Sequence, residues 1–201
     1  MTTPTHTAAG FLVAEGLVRS NLVPAEMLPN VYLTSMILAN LPDLDAIVLG
    51  KIYDHRTKSP FHYPFTWWAI LITATVTALA TEQKWLLPYI ALAALNIFIH
   101  FILDTFAVTA GICWLAPFYY KEFSFISFTK ITPKNFRELW RRYAKHPVTW
   151  LEVVIWLSAL FVVRHPTVYA RLKANVAKPQ DAQEVRITSP RQMLPQINRP
   201  K

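Results

Sequence analysis

The chain has 201 residues, 53% of them hydrophobic and 13% aromatic, against 16% charged and a formal net charge of +8. This excludes a disordered chain, which needs low hydrophobicity, and a single cysteine, Cys113, excludes an internal disulfide framework or a thiolate-rich zinc site. The four glycines show no G-x-G-x-x-G or Walker A spacing, and in so apolar a chain the positive charge reads first as loops held near anionic lipid headgroups.

Ala8 to Val18 is a short apolar stretch broken by Glu15 and Gly16. No basic segment precedes it and no small-residue cleavage site follows, so it does not read as a signal peptide. Leu28 to Leu41 is a second apolar stretch, which Pro42 should end because the residue before a proline avoids the helical region. Both read as short helices that dip partly into a membrane or pack on a spanning bundle. Pro64 to Thr81 is then eighteen residues without a charge, and Trp85 to Asp104 is twenty more after the polar turn Glu82-Gln83-Lys84. At ~1.5 Å per residue, twenty helical residues span the ~30 Å hydrocarbon core, so the pair predicts a transmembrane hairpin.

Trp67-Trp68 and Tyr119-Tyr120 sit near run ends, where interfacial aromatic belts belong. Between Phe118 and His146 lie seven basic residues, and the second half, from Thr132-Pro133 onward, predicts a helix lying on the headgroups. Val148 to Val163 is a third and shorter apolar run, carrying Glu152 one turn in. From His165 the composition shifts to Pro, Gln, Arg and Lys, a flexible basic tail. The expected protein is all-α and multi-pass. It has two or three spanning helices, short N-terminal helices and an interfacial helix, arranged as a membrane domain over 1–164 and a tail over 165–201.

Polar residues are costly inside a bilayer, so those bunched at its edge are informative. Asn96, His100 and Asp104 fall at i, i+4 and i+8, one above the other on a helix face. His100 and Asp104 can therefore share one cation, although polar residues that glue two helices together share the same spacing. Leu41-Pro42-Asp43-Leu44-Asp45 puts two carboxylates just past a helix end, where an extended turn lets both converge on one ion. Asp54-His55-Arg56 and Phe61-His62-Tyr63 precede the first long run, and Thr5-His6 precedes the first short helix.

Traced through a membrane, these pieces meet. If the first helix leads away from His6, the second returns Asp43 and Asp45 to the same face, where His55 and His62 remain. The hairpin then brings His100 and Asp104 back to it. His146 and His165 flank the third run and need no site. Imidazole with carboxylate and no thiolate suits zinc, manganese or iron. So many candidates suit two metals sharing a bridging carboxylate, an arrangement that serves phosphate-ester hydrolysis.

Four pieces in order give the chain a family resemblance over about its first 118 residues. They are Thr5-His6 with Gly10, Leu41-Pro42-Asp43-Leu44-Asp45, His55-Arg56 with His62, and His100-x-x-x-Asp104 followed by Gly111-Ile112-Cys113-Trp114-Leu115-Ala116-Pro117-Phe118. The chain resembles the YdjM-like family of inner-membrane, metal-dependent hydrolases. It departs from the family's compact His-Arg-x-x-Thr-His-Ser by two extra residues between His55 and His62, with Phe61 and Tyr63 beside the second histidine. Ala46 stands where a histidine often follows the second aspartate. The resemblance implies a multi-helix membrane protein with a divalent-metal hydrolase site, distantly akin to zinc-dependent phospholipases C.

On that basis the metal ligands are expected among His6, Asp43, Asp45, His55, His62, His100 and Asp104. His6 and Asp45 are the expected catalytic groups, and Arg56 would hold a phosphate bidentately. Zinc or manganese is the favoured metal, and the partners are the lipid bilayer and a lipid or phosphoester substrate. The alternative is a non-enzymatic metal-binding membrane protein, a scaffold or carrier. A carrier should place polar groups at the midplane, whereas these runs are almost bare at their centres. Nucleic acid is not expected as a partner, since the basic segment lacks the motifs that would promote it. The site face carries ten basic residues against six on the other, which places it in the cytoplasm by the positive-inside rule.

Overall fold

A computed structural model describes residues 1–49, 58–106, 111–126 and 136–165. Helix α1 (Thr3–Arg19) opens with Pro4 in its first turn, where a missing N–H leaves nothing unpaired. It closes with Asn21 in the left-handed region (φ 54°), which lets Asn21 N–H reach Val18 O at 3.1 Å and Leu22 N–H reach Leu17 O at 3.0 Å. The helix begins five residues before the apolar stretch that announced it, so Thr5 and His6 lie in its first turn rather than ahead of it.

Helix α2 (Val31–Leu38) stops well before Pro42, which instead sits in a 3₁₀ turn over Leu41–Asp43 that leads into α3 (Leu44–Leu49). A second 3₁₀ turn, Pro60–His62, delivers His62 to the start of α4 (Pro64–Ala80). After a tight turn with Glu82 at φ 59°, α5 (Leu87–Asp104) runs back and ends on Asp104. Helix α6 (Phe136–Ala144) has its strongly basic last turn in the segment expected at the headgroups. Helix α7 (Pro147–Arg164) begins at His146, whose Nδ1 accepts from Val148 N–H at 3.3 Å. That histidine, which the sequence placed only as a flank of the third run, is the helix cap.

The described residues form an all-helical protein, apart from one antiparallel bridge between Ile112 and Phe123. Lys84–Asp104 and Pro147–Arg164, at 21 and 18 residues, are long and apolar enough to cross a bilayer, and Pro64–Ala80 is an apolar helix of 17. Large apolar side chains such as Ile72, Val76, Phe98, Leu157 and Phe161 point outward unburied, a surface that water does not tolerate and hydrocarbon does. His55, Arg56 and the tail from Pro166 to Lys201 lie outside the described residues.

Helix α1 packs between α2 and α7 and also touches α5. Ala14, Met27, Val31 and Leu92 form the core that joins α1, α2 and α5. The close approach of α1 to α2 requires Gly10. A Cβ there would lie 2.8 Å from Ser35 O, 2.8 Å from Ala39 Cβ and 3.0 Å from Met36 Cα. Ser35 Oγ uses the proximity to donate to Gly10 O at 2.7 Å, and Asn96 Nδ2 donates to Ser35 Oγ at 2.9 Å. Asn96 is thus glue between α5 and α2, the role that competed with ligation at its spacing.

Gly10→Ala tests this contact. Helix propensity favours alanine by ~1 kcal/mol, but the clash is with backbone that no rotamer relieves, so overpacking wins with a net loss of about 1–2 kcal/mol. A thermal melt in detergent should show the lower midpoint.

Candidate metal centre

Three segments that are distant in sequence meet at one end of the bundle. The 3₁₀ turn over Leu41–Asp43 supplies Asp43, the turn over Pro60–His62 supplies His62, and the last two turns of α5 supply His100 and Asp104. One donor atom from each lies within 4.8 Å of all the others. His62, His100 and Asp104 have fully buried side chains, while the Asp43 side chain keeps 14% of its exposure. The centre is therefore buried, with Asp43 the most accessible of the four.

The spacing is the first test of whether a cation fits. His62 Nε2 stands 3.6 Å from Asp43 Oδ1 and 3.6 Å from Asp104 Oδ2. His100 Nε2 stands 3.7 Å and 3.6 Å from the same two oxygens. These distances are too long for hydrogen bonds. Donors held at the ~2.0–2.2 Å that zinc takes with imidazole and carboxylate stand roughly 3.3–3.6 Å apart in a tetrahedron, so these four separations are of the size a cation requires.

The second test is tautomeric. His100 Nδ1–H donates to Ala39 O at 2.8 Å, which leaves the lone pair on Nε2, and that atom is buried with no hydrogen-bond partner. His62 Nδ1 lies 2.9 Å from Asp45 Oδ2, which likewise turns Nε2 toward the two shared carboxylates. Metal-bound histidines characteristically donate their other N–H to a carbonyl or carboxylate. Both rings satisfy that pattern, so the residues present fit a divalent cation.

Asp45 therefore stands behind His62, not among the four converging donors. Asp45→Asn should weaken metal binding by about 10–100-fold without changing the number of ions bound, because it disturbs the orientation and basicity of His62 alone. Titration of purified protein with zinc against a competing chelator measures the change.

Burial opposes a charged His62 ring, but the nearby Asp104 and Asp45 carboxylates, the second accepting from Nδ1, outweigh it and raise its pKa above the usual 6.5. A cation binds the neutral ring, so it must displace a proton that is held to higher pH than usual. Metal affinity should accordingly climb with pH across the neutral range, by about tenfold per pH unit while His62 stays protonated. Calorimetric titrations at a series of pH values would show the slope.

His6 joins the cluster from α1. Its ring stacks on His100 with centroids 3.9 Å apart, and Nε2 lies 3.1 Å from Asp104 Oδ1 and 4.0 Å from Asp43 Oδ2. These are the outer oxygens of the two carboxylates whose inner oxygens face His62 and His100. The amino group of Met1 also reaches Asp104 Oδ1.

Of the expected site residues, the fold thus brings together His6, Asp43, His62, His100 and Asp104, with Asp45 in contact behind them. His165 ends α7, outside the cluster. Sequence reading did not point to the Ala39 carbonyl, since a backbone acceptor leaves no mark in residue type. It did register Glu152, an acid inside an apolar run, without giving it a task.

A family model described as YdjM inner membrane protein matches residues 1–171. No curated protein and no solved structure matches the chain.

Proposed function

The chain belongs to the YdjM inner membrane protein family, and from that premise we propose an integral membrane hydrolase that uses one or two divalent metals, zinc or manganese, on a phosphoester or lipid-type substrate. One observation carries the reading. Two buried imidazoles have their Nδ1 atoms engaged and turn both Nε2 atoms toward the same pair of carboxylates. A bundle that needed only polar glue would have given the buried His100 Nε2 a hydrogen-bond partner.

A bound divalent cation supplies Lewis-acid charge and makes water nucleophilic near neutral pH. Asp43, His62, His100 and Asp104 would hold the first ion, and Asp45 orients His62. The outer oxygens of Asp43 and Asp104, with His6, offer donors for a second. With one ion alone, His6 would serve as the base toward the attacking water, with Asp104 Oδ1, 3.1 Å from Nε2, placed to stabilise the ring once protonated. The partly exposed Asp43 marks the side from which substrate enters. Arg56 is assigned to the substrate phosphate on the strength of the sequence alone.

A lipid-type substrate is supported by the groove between α4 and α5. Trp67, Leu71, Ile97, Phe98, Phe101 and Trp114 line it, and Phe101 sits edge-on to both His62 and His100. Two of its indoles are tied to the neighbours of the ligands: Trp67 Nε1 donates to Phe61 O at 2.6 Å, and Trp114 Nε1 to Thr105 Oγ1 at 3.1 Å. We place the site on the cytoplasmic face, from the excess of basic residues there.

The deciding experiment is hydrolysis of a phosphodiester and of a phospholipid by detergent-purified protein, with zinc or manganese and after chelation. Turnover that requires the metal supports the enzyme. Tight metal binding with no turnover of either substrate would make the protein a metal-binding scaffold or carrier instead.

A further inference from the structure

Glu152 is the only acidic residue of α7, and it lies one turn inside a helix long and apolar enough to span a bilayer. A carboxylate there is costly unless it is well bonded. It is 3% exposed and accepts three hydrogen bonds from the start of α1: from Thr2 N–H at 3.0 Å, Thr2 Oγ1 at 2.7 Å and Thr5 Oγ1 at 2.7 Å. One turn further along α7, Trp156 Nε1 donates to Thr5 Oγ1 at 3.0 Å. Thr2 occupies the N-cap of α1, yet its side chain caps nothing there and is committed to Glu152. The negative charge of Glu152 also complements the positive end of the α1 dipole.

What this arrangement holds is the residue next in the chain. His6 follows Thr5, is fully buried, and owes its place beside Asp104 and His100 to the first turn of α1. A first helical turn has few intrahelical bonds of its own and frays unless it is tied down. We infer that Glu152 is a positioning residue, which clamps the first turn of α1 to α7 and so sets His6 in the metal centre. This rests on the reading of His6 given under the proposed function.

The test follows His6 directly. Detergent-purified protein is treated with diethyl pyrocarbonate, and the modification of each histidine is read by mass spectrometry. Glu152→Leu removes every acceptor, and Glu152→Gln keeps the shape and one acceptor oxygen. Thr5→Val removes one donor to Glu152 together with the acceptor of Trp156, and supplies the reading should the Leu variant fail to assemble.

His6 should be protected in the wild type and in the Gln variant. It should react at least about tenfold faster in the Leu and Val variants, the shift in population that even one lost buried hydrogen bond permits, while His62 and His100 stay protected. In parallel, the Co(II) absorption spectrum of the Leu variant should match that of His6→Ala, with no further change when the two are combined. Continued protection of His6 in both the Leu and Val variants would overturn the proposal, as would equal deprotection of all three histidines. A wild-type protein that binds no Co(II) would defeat the metal-centre reading instead, leaving the clamp to be judged on His6 alone.

Discussion

Asp104→Asn should abolish metal-dependent stabilisation and hydrolysis together while the helices stay folded. Asparagine keeps the size of the side chain and much of its hydrogen bonding, but removes the charge. In the fold that charge serves several partners at once: Oδ2 faces His62 and His100, and Oδ1 faces His6 and the amino group of Met1. A ligand that binds only the native state at ~100 times its dissociation constant stabilises it by ~2.7 kcal/mol. The wild type should show a shift of that order on adding zinc or manganese, and the Asn variant none. If Asp104 were instead a structural carboxylate buried near like-charged Asp43, neutralising it would relieve a cost. A variant that melts above the wild type, responds equally to metal and retains activity would establish that alternative.

His100→Ala should remove metal from the purified protein altogether, the other large effect. His100 contributes an Nε2 whose tautomer is fixed by Ala39 O, and it presents the face on which His6 stacks. Loss of the ring withdraws a donor and leaves a cavity between His6, His62 and Phe101, so the melting point should fall even without metal. Elemental analysis of the two proteins side by side is sufficient. Equal metal content would remove the inference at its root.

The long apolar helices were legible because a bilayer imposes a length and a composition, and Pro64–Ala80 and Lys84–Asp104 follow the apolar runs closely. The site was legible for a related reason. Charged and imidazole side chains are so disfavoured in such a chain that their positions stand out, and a hairpin returns to the face it left. What could not be read is what depends on packing. The start of α1 lies among the polar residues Thr2, Thr3 and Thr5, which show no apolar periodicity. Nothing in Asp45 itself separates a ligand from the partner of a ligand, since both roles ask for a carboxylate two residues from Asp43. Gly10 and Ala39 look unremarkable in the sequence, yet one lets α2 come close and the other fixes the tautomer of His100.

The bond between Thr2 and Glu152 joins residues 150 apart, and that between Thr5 and Glu152 residues 147 apart. A ribosome adding ~5–20 residues per second needs on the order of 10–30 s to make the second partner after the first. Over that interval every donor of the centre has been synthesised, and His6 still lacks its tether. The nascent chain therefore carries the candidate donors of the centre for that time before His6 can be clamped beside them. Completion of the site is coupled to the arrival of the last apolar helix, and a chain cut short before that helix would enter the bilayer without a finished centre.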